Sequence, residues 1–498
     1  MKMIYGVKDR PKVGQLILFS LQQLLAILAA TIAVPMIVGH NMSPSAALFG
    51  AGVGTIVYLL FTKFRSPVFL GSSFAFLGSM SAAFAGGVSA SLGYVGLIIG
   101  AIFAGAVYVI IAVIVKFAGV KWIDKIMPAV VIGPTVAIIG LSLAGNAIGD
   151  SVKSITATVV DNGAYVMDGH AIICLLCALI TLGVTIVCSV YGKKLMKMIP
   201  FIIGILSGYI VAAIFTGIGF AAHNDALKII DFTKFNNMQW YPDFAFLQAA
   251  KGELTSSSGS IGSYIGTIAV AYIPVAFVVF AEHIADHKNI SSIIEKDLLK
   301  DPGLTRTLLG DGVGSVVGAV FGGCPNTTYG ESVGCVAISG NASVITILVT
   351  AVMAIVFSFI APFVTFLSTI PSCVMGGVCI ALYGFIAVSG LKMIQKVDLG
   401  DNRNLFVVSV ILIAGVGGMK LKFGAVTITE VACALIIGIL TNLLVNIPRR
   451  KKAEDKPVLD AEQVADGAQA EEVVAKEEAA ADIIESLADN SQDNKEEN

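Results

Sequence analysis

Charge is scarce in this chain. Asp, Glu, Lys and Arg make up 13% of its 498 residues, against roughly 25% in soluble domains. With 56% hydrophobic residues and a mean hydropathy of +0.86, a soluble globular body is excluded. Aromatic content is ordinary and no run alternates polar with apolar residues, which excludes a transmembrane β-barrel. The charged opening "MKMIYGVKDRPKVG" lacks a small-residue cleavage site, so it does not read as a secretory signal. HExxH is missing, as is any nucleophile–base pair at useful spacing. That argues against an intramembrane hydrolase built on Glu282 and His283. The eight cysteines are scattered through apolar segments. Cys174 and Cys177 form a CxxC, read as packing because no His is expected beside it. "EHIADH" alone is too little for a metal site, so no metal is expected. A net charge of −2 says nothing about partners, and no nucleic-acid partner is expected.

What is present is long apolar runs, such as "AALFGAGVGTIVYLLF" and "ACALIIGILTNLLV". A bilayer core needs about 20 apolar residues per helix, so the lipid bilayer is the expected solvent. Counting runs predicts an all-α polytopic membrane protein with fourteen segments. They fall near 13–39, 44–62, 68–86, 91–117, 126–147, 169–191, 198–219, 263–290, 305–323, 325–338, 342–366, 369–391, 402–418 and 425–447. Lys and Arg gather in the loops of one side, at Lys63/Arg65, Lys116–Lys125, Lys193–Lys197, Lys288–Arg306, Lys392–Arg403 and Arg449–Lys452. The positive-inside bias then puts both termini in the cytoplasm.

The third segment, "PVFLGSSFAFLGSMSAAFAGG", and the tenth, starting "PNTTYG", are short and interrupted by Pro, Gly, Ser and Thr. Both read as a proline, a few extended residues and then a small-residue helix. "PAVVIGPTVAIIGLSLAG" from Pro128 also matches "PSCVMGGVCIALYGFIAVSG" from Pro371 through P-x-x-V-x-G. Two halves of seven segments follow. Seven is odd, so the halves enter the membrane from opposite sides as an inverted repeat. Paired interrupted segments at matching positions point to a transporter's binding site.

The chemistry concentrates there. Glu282 and Asp286 are four apart and share one helix face. Glu282 falls near mid-span, and Asp286 lies about 6 Å further toward the cytoplasm, at 1.5 Å per residue. Glu331 is the other deep carboxylate. A charge at that depth costs at least ~2.5 kcal/mol, so it normally faces a cavity or the bundle interior. His283, His287, Asp311 and Glu430 read as structural, His287 as bordering Lys288 at the membrane edge, and Asp311 and Glu430 as lying near segment ends. An interrupted segment exposes free amides at the start of its half-helix. Phe74 and Gly330 are the expected backbone donors, beside the acceptors Glu282 and Glu331. A planar ligand with both N–H and C=O edges fits that set, and Tyr329 and Phe74 are placed to cover its ring.

"GSSFAF", "AEHIADH", "EKDLLKDPGLTR" and "PNTTYGESVG" closely resemble the bacterial uracil-permease branch of the nucleobase–ascorbate transporter (nucleobase:cation symporter-2) family. "SLQQLLAILAATIAVP" and "PSCVMGGVCIALYG" are similar to its first and twelfth spans, and the resemblance runs colinearly over about residues 5–447. It implies short strands in segments 3 and 10 that pair at mid-membrane. It implies a core domain (13–118 and 263–367) against a gate domain (119–220 and 368–447), after a cytoplasmic N-terminus (1–12) and with an extracellular excursion (221–262). It implies uracil or a related pyrimidine as substrate, a co-transported proton with no other cofactor, and a homodimer in the bacterial cytoplasmic membrane. Carried over by position, Glu282 and Glu331 bind the substrate, the amides of Phe74 and Gly330 meet its carbonyls, and Tyr329, Ala30 and Tyr383 line the pocket. Proton symport is implied by the resemblance, and the position of Asp286 one turn from Glu282 makes it, with Glu282 and Glu331, the expected proton carrier. Asp286 and Gln23 stand where that branch has histidines, which leaves the proton route open in detail. A xanthine or other purine permease, or an anion carrier of the same architecture, remains the alternative. The acidic segment 448–498 reads as a disordered cytoplasmic tail outside the transport machinery.

Overall fold

A computed structural model describes residues 3–119, 121–153, 160–161, 164–193, 195–255, 260–423 and 426–447. The chain divides into a large unit, Met1–Asn446, and a second one, Ile447–Asn498. The tail expected to be disordered lies outside the described residues.

The large unit is helical. Its first half runs α1 (Val13–Val38), α2 (Pro44–Phe61), β1 (Leu70–Ser72), α3 (Leu77–Ala83), α4 (Ala90–Ala118), α5 (Ala129–Ser142), α6 (Gly169–Tyr191) and α7 (Pro200–Ala221). The second half runs α8 (Ile261–Ile293), α9 (Leu304–Gly322), β2 (Asn326–Thr328), α10 (Gly330–Ser339), α11 (Val344–Phe357), α12 (Ser372–Ile394), α13 (Asn402–Val416) and α14 (Glu430–Val445). Ser43, Ser89, Asp168, Ser260 and Thr429 cap α2, α4, α6, α8 and α14 by accepting first-turn amides, so polar residues begin helices whose bodies are apolar.

Among the described residues, eight helices are long and apolar enough to cross a membrane, or nine if the bent pair Val344–Phe357 and Ala361–Thr369 is one span. The fourteen expected segments exceed that number because several of the elements are too short or too polar to cross a membrane as single helices. The eleventh is not one straight helix, since its two pieces meet at 83°. The fifth is interrupted at Leu143, with a further helix over Ala144–Ser151. The excursion after α7 is partly ordered and lays the short helix Ala245–Ala250 on α4.

β1 and β2 pair antiparallel, with Leu70 opposite Thr328, Gly71 opposite Thr327 and Ser72 opposite Asn326. Two short strands leave outer edges whose N–H and C=O groups lipid cannot satisfy. Side chains of neighbouring elements supply the partners. Thr55 of α2 accepts from Leu70 N at 2.9 Å and donates to Leu70 O at 3.1 Å. The Tyr329 hydroxyl donates to Ser72 O at 2.7 Å. Asn326 Nδ2 donates across to Gly50 O in α2 at 3.0 Å.

The helices pack alike when read from either half. β1 pairs with β2, α2 packs on α9, and α5 packs on α12. α4 lies against α8 and α9, as α11 lies against α1 and α2. α6 contacts α7 and α12, as α13 contacts α14 and α5. Small residues bring the counterpart helices close, as expected in a membrane. A Cβ on Gly50 would come within 2.5 Å of Gly318 O, and one on Gly140 within 2.3 Å of Tyr383 O.

Gly71 is a further close approach, where a Cβ would lie 2.3 Å from the Tyr329 ring. Gly71→Ala is expected to push that ring off the strand pair and lower stability by about 1–3 kcal/mol, the usual range for overpacking. Gly14→Ala, with nothing within 4 Å, is the control. Thermal melting of both in detergent checks this, and equal midpoints would refute it.

Candidate site at the paired strands

Each strand hands over to a helical segment at its C-terminal end. After β1, extended Ser73 leads into a 3-10 turn at Phe74–Phe76 and then α3. After β2, extended Tyr329 leads into α10, whose first residues are Gly330 and Glu331. Both helical starts, with their free amides, therefore lie beside the strand pair. Glu331 sits in the first turn of α10, where a carboxylate is favoured by the helix dipole.

α8 brings the other carboxylates. Asp286 Oδ2 accepts a hydrogen bond from Thr328 Oγ1 of β2 at 2.7 Å. Its Oδ1 lies 3.9 Å from the point where a Cβ on Gly330 would stand. Glu282, one turn away on the same helix, is within electrostatic reach of Asp286 and Glu331. All three are half-buried. Phe74 and Tyr383 meet edge to face with ring centroids 5.7 Å apart. Ala30 is fully buried in α1. The Tyr329 ring packs on Gly71, so this side chain binds its own strand pair. Gln23 donates from α1 to Ser332 Oγ of α10 at 2.5 Å, and Ser332 Oγ also accepts from Phe69 N at 3.3 Å.

A cavity of about 720 Å³ reaches this region, with Phe74, Gly78, Ser142, Asn146, Thr267 and Glu430 in its wall. Glu282, Asp286 and Glu331 do not line it. Its wall follows α3 from Phe74 outward and takes in the start of α8 and the α13–α14 connection. The cavity therefore opens on the face opposite the N-terminal segment. Lys420 and Glu430 pair across 3.4 Å there.

Sequence reasoning misjudged the far face of α8. His283 Nδ1 lies 2.7 Å from Asp311 Oδ2 in α9, and its Nε2 lies 3.0 Å from Thr307 Oγ1. The pair is 0% and 1% exposed. Asp311 thus sits inside α9 and not near a segment end. His287 is fully buried too, not at the membrane edge. Its Nδ1 faces the His283 carbonyl at 2.8 Å and so carries a hydrogen, while its Nε2 lies 2.7 Å from the Tyr58 hydroxyl. That hydroxyl is also 2.7 Å from Ser66 Oγ. The signal was present: His at i and i+4 together with an Asp inside a Gly-rich run, each too costly to bury unpaired. Glu430 does begin α14. His170 sits beside Cys174, which the reading of the CxxC overlooked, and Cys373 of α12 faces the same thiols. All eight cysteines are free and buried. Among the described residues, no group of three or more His, Cys, Asp or Glu side chains is arranged to hold a metal ion.

A multi-pass helical membrane protein with two interrupted segments meeting beside three carboxylates belongs to the class of membrane transporters. More particularly, the chain belongs to the Permease family, whose profile matches residues 14–423. It is therefore a permease and not an enzyme. It is 39% identical to a uracil permease of Bacillus caldolyticus over 91% of this chain and 97% of that one. It is 37% identical to the uracil permease of Bacillus subtilis (strain 168), covering 91% and 98%, and 36% identical to that of Escherichia coli (strain K12), covering 92% and 97%. Among solved structures, the transmembrane domain of the cyanobacterial bicarbonate transporter BicA superposes with a TM-score of 0.58 at 16% identity, covering 88% of this chain and 98% of that one. The murine anion transporter Slc26a9 gives 0.57 at 13% identity, covering 88% and 69%. At those identities the likeness concerns the fold.

The buried pair generates a prediction. Asp311→Ala leaves His283 without its partner and is expected to cost about 1–3 kcal/mol, the penalty of an unsatisfied buried polar group. Asp311→Asn keeps a hydrogen-bonding side chain there and should melt between the two. Melting curves in detergent check the order. An Ala variant as stable as the wild type would show that the pair contributes nothing.

Proposed function

We propose that this chain imports uracil with a proton across the bacterial cytoplasmic membrane by alternating access. The observation that carries it is the meeting of Glu282, Asp286 and Glu331 with two helical starts at one strand pair. Uracil is planar and presents ring N–H donors and C=O acceptors on one rim. Glu282 and Glu331 accept from the ring N–H groups, and the amides of Phe74 and Gly330 donate to the carbonyls. Phe74, Ala30 and Tyr383 form the apolar wall. Relatives named uracil permeases, matched over nearly their full length, support this substrate.

The chain is read as fourteen segments in two inverted repeats of seven. The like packing of the two halves and the antiparallel pairing of β1 with β2 support it. Segments 1–4 and 8–11 form the core and segments 5–7 and 12–14 the gate, with the 720 Å³ cavity at their junction. The basic loops support cytoplasmic termini, and the cavity is then the outer vestibule. α6 and α7 are the least buried of the eight long spans, at 39% and 33%, which leaves a face for a second copy in a homodimer.

Asp286 is the proton relay. Ionised, it can only accept from Thr328; protonated, it can also donate. Its charge is therefore felt directly by β2, the strand that precedes Gly330 and Glu331. An anion carrier has the same architecture, but three clustered carboxylates disfavour an anion at this site. A purine permease is the nearer alternative. Labelled uracil uptake into proteoliposomes, with and without an inward proton gradient and with xanthine as competitor, tests the reading. No uptake of labelled uracil, with labelled xanthine accumulating under the same gradient, would overturn the choice of substrate.

Glu282→Gln and Glu331→Gln remove a charged acceptor and present an N–H₂ to a ring N–H. Each is expected to weaken uracil binding about 10- to 150-fold, from roughly 1.5–3 kcal/mol per charged hydrogen bond. Wild-type affinity by calorimetry in either variant would remove that residue from the site.

Asp286→Asn keeps the shape but cannot titrate. It is expected to bind uracil within about tenfold, since its amide oxygen can still accept from Thr328 Oγ1 and the ring N–H groups are met by Glu282 and Glu331. It should also retain uracil–uracil exchange and lose accumulation driven by a pH gradient. Full gradient-driven accumulation in this variant would assign the proton to Glu282.

A further inference from the structure

Residues ahead of α1 are joined to the far end of α10. Ile4 N and Tyr5 N donate to Gly340 O at 2.7 and 3.2 Å, Ala342 N donates to Tyr5 O at 2.9 Å, and Val344 N donates to Val7 O at 3.1 Å. Ser343 Oγ donates to Asp9 O at 2.6 Å. The segment runs parallel to the α10–α11 turn, with Tyr5 opposite Asn341. It turns back on itself through Gly6 N, which donates to Asp9 Oδ2 at 2.7 Å. Its other anchor is α1, where the Tyr5 hydroxyl donates to Gln15 Oε1 at 2.6 Å and the ring meets Phe19 edge to face at 6.1 Å. It is not fastened to the end of α8, because a groove of about 570 Å³ separates Gly6, Val7 and Lys8 from Ile294–Lys296.

These bonds fall on groups that a helix leaves orphaned. Gly340 is the residue in the left-handed region, φ +66°, that ends α10, and Val344 is the first residue of α11. The segment supplies the missing partners at both ends of the turn. α10 depends on such anchors. It has ten residues, about 15 Å at 1.5 Å per residue, and it packs mainly on α1 and α8. Midway, Gly334 has nothing within 4 Å of where a Cβ would stand. At the outer end Ser332 is held by Gln23 and Phe69 N. A short rod pinned at one end by Ser332 and at the other by Gly340 carries Glu331 next to the first pin.

We propose that residues 3–9 form a strap that braces α10 against α1 and so positions Glu331 and the Gly330 amide. The strap touches no ligand. It acts by holding the inner end of the helix whose outer end faces the site. The part concerning uracil rests on the transport reading above.

The test uses the full chain, a variant lacking residues 3–9, and Ile4→Pro, which removes one strap donor without shortening the chain. Lys8→Ala is the control, since Lys8 is exposed and makes none of these bonds. Hydrogen exchange of 330–339 is read beside the dissociation constant for uracil and the melting midpoint. The deletion should speed exchange along α10 and raise the dissociation constant at least tenfold. Ile4→Pro should raise it about threefold with an unchanged midpoint, a separation that general destabilisation does not produce. Unchanged exchange at 332–336 in both variants would overturn the strap. Faster exchange with unchanged uracil affinity would overturn it as well, reducing the segment to a cap on the turn. If the wild type binds no uracil, the transport reading falls and the exchange data alone decide the strap.

Discussion

Backbone polar groups at mid-membrane need partners, and most of this architecture follows from supplying them. Lipid offers no hydrogen bonds, so a chain interrupted at depth must bring its own. Here two interruptions solve the problem jointly. β1 and β2 satisfy each other across the pair, and Thr55, Tyr329 and Asn326 bond the groups around it. Those side chains come from α2 and from the second interrupted segment itself. The partners must be packed close, which is why glycines line α2 and α9 where they cross. The same arrangement leaves two sets of helix-start amides free beside one cleft. The candidate binding surface is thus the remainder of a structural solution.

The carboxylates are placed by that solution. Asp286 is bonded to the strand through Thr328, so the charged face of α8 is docked on β2. The opposite face of α8 is polar as well, with His283 and His287 bonded to α9 and α2. A helix with both faces held cannot rotate freely about its axis. The sealed His283–Asp311 contact therefore sets the direction in which Glu282 and Asp286 point. Positioning of this kind is costly, since buried polar groups must all be paired before the network stabilises anything.

Much of this was legible in the residues and some was not. The interrupted segments announced themselves, because Pro, Gly, Ser and Thr inside apolar runs have few other uses. Glu282, Asp286 and Glu331 were legible for the same reason: depth makes a carboxylate expensive. Asp311 and His287 were misplaced because sequence position locates a residue along a helix but not against its neighbours. Their partners, His283 and Tyr58, lie 28 and 229 residues away. The tight fit of Tyr329 on Gly71 was hidden for a similar reason, since the two lie in different interrupted segments and meet only in the fold. The 83° bend after α11 carried a weak signal, Pro362 in the first turn of the second piece.

The two ends of α10 differ in how they are held, and that difference bears on transport. Its outer end is fixed by side chains, Gln23 and Ser332, which belong to the site's own surroundings. Its other end is fixed by backbone bonds to residues 4–7. The proposed motion of a gate past a core would require the core to keep its shape while its surroundings change. A ten-residue helix is marginal by itself and depends on what holds its ends. In the proposed mechanism, anchoring it at both ends makes Glu331 part of the rigid body and leaves the junction with α5 and α14 as the place for movement. The cavity between α3, α8 and those two helices already follows that junction.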